Sequence, residues 1–142
     1  MMKVFFDTNI LIDYLTHRQQ QFYHNAALII TTCGEKGDKI LVSALSFATA
    51  SYIMESCHKM SVTSIKSLFD NFVKACAVTP VDSLIVDKSI ASEFSDFEDA
   101  MQYYSALREG ADLIITRNKD DFEASSIPVY EPQEFLDLLT KD

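Results

Sequence analysis

The sequence predicts an α/β fold, a single domain over residues 1–142 with three α/β/α layers and a mostly parallel central sheet of about five strands. Three observations carry this expectation. Short apolar runs of β-favouring residues alternate along the chain with longer segments of helical periodicity. Strands that alternate with helices imply right-handed crossovers and a sheet covered on both faces. A chain of 142 residues is also long enough for one core, burying about 68 to 70% of the surface its unfolded form exposes, and no repeat, linker or low-complexity window divides it.

The elements follow in order. Lys3 to Phe6 reads as a strand, with Thr8 or Asn9 as the cap of a helix that begins at Ile10-Leu11-Ile12. A second helix is expected from Gln20 to Cys33, with Phe22, Ala26, Ile29, Ile30 and Cys33 on one face and Gly34 and Gly37 ending it. Lys39 to Val42 is the next strand. Two helices follow, Ser43 to Ser56 around Leu45, Ala48, Tyr52 and Met54, and Ser61 to Lys74 around Ile65, Leu68, Phe69, Phe72 and Val73. Ala77 to Val81 is a weak strand that Pro80 ends or pushes to an edge. A short helix is expected over Leu84 to Phe94. Ser95-Asp96-Phe97-Glu98 matches a capping box opening the helix that runs to Glu109 and stops at Gly110. Asp112 to Thr116 is a buried strand, Ile127 to Tyr130 a short last one, and Pro132 opens a C-terminal helix ending near Leu139.

Composition narrows the function. The net charge of −9 argues against a broad basic surface for nucleic acid, because phosphate affinity normally comes from Lys and Arg. Concentrated acids reverse that argument, since a carboxylate pocket holding a divalent cation can accept phosphate. Cys33, Cys57 and Cys76 form no paired motif and read as reduced core thiols, and His17, His24 and His58 form no cluster. No secretion signal or membrane-spanning run is visible, so the expected location is cytoplasmic, with no membrane partner.

The acids then converge by position. Asp7 ends the first strand, and Arg117-Asn118-Lys119-Asp120-Asp121 follows the fourth. Function in such sheets sits beyond the carboxyl ends of the strands, where neighbouring strands would bring these groups to one edge. On the helix between them Ala100, Met101, Tyr104 and Leu107 define the expected buried stripe, with Asp96 and Asp99 flanking it. Glu98 points away with Ser105 and Glu109, which suits the acid of a capping box. Like charges gathered without a counterion repel, and a hard cation such as Mg²⁺ or Mn²⁺ relieves both repulsion and burial. Such a site activates water and neutralises phosphoryl oxygens, which points to phosphodiester hydrolysis.

VFFDTNILIDYL, DFEDAMQYYSALREGADLIITRNKDDF and IPVYEPQEFL together resemble the PIN domain, the fold of VapC-type toxin ribonucleases, over nearly the whole chain. The resemblance implies an endoribonuclease dependent on Mg²⁺ or Mn²⁺, plausible as the toxin of a bacterial toxin-antitoxin pair. It assigns catalytic roles to Asp7, Asp99 and Asp121; Asn118, where Asp is common, and Asp96, from the neighbouring helix, are expected as further metal ligands. Asn9, Thr116 and Glu98 would support these from behind, and Arg117 and Lys119 would hold phosphate. Two positions depart from the family pattern. Thr49 stands where Glu is usual and Asn118 where Asp is common, and Asp96 or Glu98 is placed to compensate.

The resemblance also implies an RNA substrate, a homodimer and an antitoxin that inserts a basic side chain into the acidic pocket. Phe22, Tyr23 and Tyr52 are expected in the core, and Lys59, Lys66 and Lys74 along a solvated helix face. The alternative reading is a PIN-fold RNA-binding or protein-interaction module that has lost hydrolysis, motivated by Thr49 and Asn118. A phosphatase or phospho-receiver is more distant, since Asn9 stands where a second Asp is usual and no strand-end Lys is in place.

Overall fold

In the computed structural model, which describes residues 1–141, five strands form one all-parallel sheet in the order β3-β2-β1-β4-β5. They are β1 (Lys3–Phe6), β2 (Lys39–Ser43), β3 (Ala77–Thr79), β4 (Leu113–Ile115) and β5 (Val129–Tyr130). The helices are α1 (Thr8–Thr16), α2 (Gln20–Lys36), α3 (Ala44–Ser56), α4 (Val62–Phe72), α5 (Ser83–Ile90), α6 (Phe97–Arg108) and α7 (Pro132–Leu139), with one 3-10 turn at Lys119–Phe122.

Alternation along β1 builds the three layers. Val4 and Phe6 face a core shared with Ile10 and Leu11 of α1, Ile29 of α2, Met54 of α3, Ile65 of α4 and Phe135 of α7. Phe5 faces the other way, against Tyr103 and Ala106 of α6, Leu41 and Ile114 of the neighbouring strands, and Phe122. Successive strand residues point to opposite faces, so a strand buried on both must be apolar throughout. Val4, Phe5 and Phe6 are all fully buried.

The centre of the sheet fixes the site. β1 pairs with β4 so that Phe6 lies beside Ile115, and the Asp7 amide donates to the Ile115 carbonyl at 2.9 Å. The chain therefore leaves both strands at the same edge. Asp7 itself caps α1, its side chain accepting from the Thr8 amide, so the helix begins at Thr8, ahead of where a Thr8 or Asn9 cap would start it.

Other expectations shift for local reasons. α2 runs through Gly34 to Lys36, because Gly34 keeps helical geometry and Gly37, at φ 77°, adopts the left-handed cap and donates to the Cys33 and Gly34 carbonyls. Asp96, rather than Ser95, caps α6, accepting from the Asp99 amide at 2.9 Å. The face that α6 lays on the sheet also differs from the expected stripe: its buried residues are Ala100, Gln102, Tyr103, Ser105 and Ala106, with Tyr103 and Ala106 packed against Phe5, Leu41 and Ile114, while Leu107 is exposed. Tyr52 is also exposed, at 70%, because Ser46, Ala50 and Met54 form the buried face of α3. Phe22 and Tyr23 are half-buried. Lys59 and Lys74 lie outside α4, so the three lysines form no stripe on one helix. Cys33 is buried and Cys76 half-buried, whereas Cys57 is exposed; all three thiols are free.

Candidate active site

Beyond the carboxyl ends of β1 and β4 lies a cleft of about 320 Å³ lined by Asp7, Thr8, Asn9, Ile12, Thr49, Ile53, Asp96, Glu98, Asp99, Asn118 and Asp121. Four parts of the chain meet there. β1 delivers Asp7 and the first turn of α1 delivers Asn9; α3 brings Thr49, α6 brings Asp96, Glu98 and Asp99, and the loop after β4 brings Asn118 and Asp121.

Asp7 is the most constrained of these acids, at 5% exposure. Oδ1 accepts from the Thr8 amide at 2.7 Å, and Oδ2 accepts from the hydroxyl of the buried Thr116 at 2.7 Å. Thr116 Oγ1 in turn accepts from the Asn118 amide at 3.1 Å, so one hydroxyl ties Asp7 to the loop that carries Asp121. Desolvation raises the Asp7 pKa, against the hydrogen bonds from Thr116, Thr8 and Gln102, and Asp121 adds repulsion.

The neighbouring acids show the same stress. Asp99 is pushed up to about 8, first by desolvation and then by the charges of Asp7, Asp96, Asp121 and Glu98. Glu98 is raised by desolvation, opposed by hydrogen bonds from Thr49 and Thr8 and reinforced by Asp7 and Asp96. Among the described residues the ion pairs join Arg108 to Asp82, Arg117 to Asp13 and Lys119 to Glu134, so none neutralises an acid of the cleft.

Gln102 and Ser46 were illegible as site components. Gln102, 1% exposed, accepts through Oε1 from the Thr8 amide at 3.1 Å and from the Ser46 hydroxyl at 3.3 Å. Ser46 Oγ and Thr8 Oγ1 lie 2.7 Å apart. This buried network clamps α1, α3 and α6 beneath the cleft, and satisfied networks of this kind rigidify what they join. The only signal was a glutamine three residues after Asp99, between apolar neighbours. Glu98 also points differently from the expectation: it faces the cleft, and the cap falls to Asp96.

Arg117 and Lys119 lie outside the cleft, on an adjoining depression shared with Asn118, Asp120, Asp121 and Glu131. Arg117 Nε donates to Asp13 Oδ2 at 2.7 Å, and its guanidinium lies 4.4 Å from the centre of the Phe22 ring. Desolvation raises the Asp13 pKa even with this partner, so the arginine holds a charge that burial opposes. Arg117→Ala is expected to cost about 2 to 3 kcal/mol, because it strands a mostly buried carboxylate; urea unfolding measures it, and a loss below about 0.5 kcal/mol would place the pair among weak surface contacts. Lys119 meets Glu134 at 3.2 Å with both side chains well exposed. Such pairs contribute little, so Lys119 is easily released.

The donors of the cleft are all oxygen, which suits a hard cation. Among the described residues no three His, Cys, Asp or Glu are grouped tightly enough to form a ready-made metal cage. The fit is that of a hydrated ion, since Mg²⁺ keeps several waters and uses few direct carboxylates. Asn9 Oδ1 supports it: this oxygen is buried at the cleft and has no hydrogen-bond partner.

Fold and cleft define an α/β protein with acids gathered at the switch between two central strands, and a family model described as "PIN domain" matches residues 3–120. The chain belongs to the PIN domain family. It is 28% identical over 141 residues to Ribonuclease VapC1 of Aquifex aeolicus (strain VF5), covering 95% of this chain and 94% of that one. In fold it is similar to a toxin-antitoxin complex from Klebsiella pneumoniae, with TM-score 0.66, 22% identity and coverage of 91% and 97% of the two chains. FitAcB from Neisseria gonorrhoeae aligns with TM-score 0.68 at 13% identity, covering 92% and 98%.

Proposed function

We propose that the protein is a Mg²⁺- or Mn²⁺-dependent endoribonuclease acting as the toxin of a toxin-antitoxin pair. The observation that carries the reading is the cleft itself, where Asp7, Glu98, Asp99 and Asp121 share one space without a cationic side chain paired to any of them. The likeness to Ribonuclease VapC1 and to the toxin-antitoxin complexes supports it.

Asp7, Asp99 and Asp121 would hold the cation, with Asp96, Asn118 and the unpartnered Asn9 oxygen as further donors. When bound, the ion lowers the pKa of a coordinated water and neutralises charge on the phosphoryl oxygens. Thr116 and the Thr8 amide fix the direction of Asp7, so its geometry need not reorganise during the reaction. Asp99 and Asp121 would also be placed to orient the attacking water. Lys119 is the cation free to leave its weak pair and meet a phosphate, while Arg117 holds the loop through Asp13.

An antitoxin partner and a homodimer belong to the same proposal. A basic antitoxin side chain entering the cleft would find several uncompensated carboxylates. Among the described residues no helix is long and apolar enough to cross a membrane, and a cytoplasmic location is proposed with the rest.

The test is cleavage of total RNA by purified protein, with Mn²⁺ or Mg²⁺ and with chelator. Cation-dependent cleavage is expected. Intact RNA under every condition, with binding retained, would favour the non-hydrolysing module that the neutral Thr49 and Asn118 suggest.

A further inference from the structure

Resting on that reading of the cleft, we propose that Glu98 is a further acid of the cation site and that Thr49 is the residue that positions it. Asp96 caps α6 through the Asp99 amide, so the helix makes no demand on the Glu98 carboxylate. A glutamate in a first helical turn ordinarily extends into water, which keeps its rotamer freedom and its hydration.

Glu98 instead turns into the cleft, beside Asp7 and Asp96, whose charges repel it. Two hydroxyls hold it there: Thr49 Oγ1 donates to Oε1 at 3.2 Å and Thr8 Oγ1 donates to Oε2 at 3.3 Å. They are not equivalent. Thr8 has one hydroxyl proton and a much closer neighbour in Ser46 Oγ at 2.7 Å, so its bond to Glu98 is shared. Thr49 Oγ1 has Glu98 as its sole hydrogen-bond partner among the described residues. α3 thus supplies a neutral hydroxyl, and α6 supplies the charge which that hydroxyl directs.

Groups that orient a ligand to a metal typically change its affinity by about 10- to 100-fold when removed. Calorimetric titration of the full chain with Mn²⁺, alongside melting in chelator, separates the roles. Glu98→Gln should weaken Mn²⁺ binding about a hundredfold and leave the metal-free protein melting no lower, because the substitution removes a repelled charge. Thr49→Val should weaken binding by a smaller factor and lower kcat for RNA with little change in KM, and Thr49→Ser should restore both.

A Glu98→Gln protein that binds Mn²⁺ as the wild type does, while Asp7→Asn has lost binding, overturns this inference and leaves the cation site standing. The same holds if Glu98→Gln only lowers the melting temperature, the mark of a structural hydrogen-bond acceptor. Wild-type protein that takes up no Mn²⁺ overturns the site and this inference together.

Discussion

Asp7→Asn is expected to abolish cation binding and to reduce RNA cleavage by about 10²- to 10³-fold, the equivalent of several kcal/mol of lost charge stabilisation, while the metal-free protein stays as stable as before. The exchange is nearly isosteric. The amide oxygen keeps the bond from the Thr8 amide, and the amide nitrogen meets Thr116 Oγ1, a hydroxyl that can turn to accept. Asn also serves well as a helix cap, so α1 keeps its start. What disappears is one buried charge, together with its repulsion of Asp99 and Asp121. Mn²⁺ titration and melting in chelator should therefore move in different directions, binding down and melting temperature level or up. A variant that still cleaves RNA as the wild type does would remove Asp7 from the mechanism.

Much of this was legible because sequence patterns report local physics. The apolar run before Asp7 and the one before Thr116 are strands buried on both faces, and a parallel sheet must place their ends together. Pro132 opens α7 as its fixed φ allows. Phase errors arose where two local solutions were nearly degenerate. Ser95-Asp96-Phe97-Glu98 satisfies a capping box, but Asp96 three residues before Asp99 satisfies the helix equally well; Asp96 takes the cap, and Glu98, released from that role, lines the cleft. Gly34 and Gly37 compete in the same way for the end of α2.

Specific hydrogen-bond partners over long sequence separation were not legible. Arg117 sits in a polar loop like a phosphate ligand, and only the packing of α1 against α2 brings Asp13 and Phe22 to it. Thr49 stood out as a missing acid with Asp96 or Glu98 placed to compensate, but the hydrogen bond from its hydroxyl to Glu98 could not be read from residues so far apart in the chain. Gln102 carried no usable signal, since a lone amide between apolar residues acquires meaning only once Thr8 and Ser46 are placed above it.

The crowding of acids has a thermodynamic consequence that can be measured without any substrate. Asp99 is pushed up to about 8, and Asp7 and Glu98 are raised as well, each chiefly by desolvation. A folded-state pKa above the unfolded one means that the native protein binds more protons between those two values. The stability these groups contribute is then fully present below the unfolded carboxylate range and is lost as pH rises through the folded pKa. The metal-free protein should accordingly become less stable between about pH 6 and about pH 8, where an ordinary acidic protein is near its plateau. One retained proton corresponds to at most about 1.4 kcal/mol per pH unit, and water reaching the half-buried Asp99 screens this to an expected total of about 1 to 2 kcal/mol.

His58 works in the opposite sense, because desolvation and Arg18 lower its pKa, but its window lies below its usual value of 6.5. Asp99→Asn is the internal control and should flatten the profile. Cations bind only the ionised carboxylates, so saturating Mn²⁺ should invert the slope, adding about 2.7 kcal/mol at a hundredfold excess over Kd. Thermal melting in chelator and in Mn²⁺ across this range reads both effects. A chelated wild type that grows more stable toward pH 8, or one whose profile Asp99→Asn leaves unchanged, would mean that the carboxylates of the cleft ionise without strain and have no need of a cation.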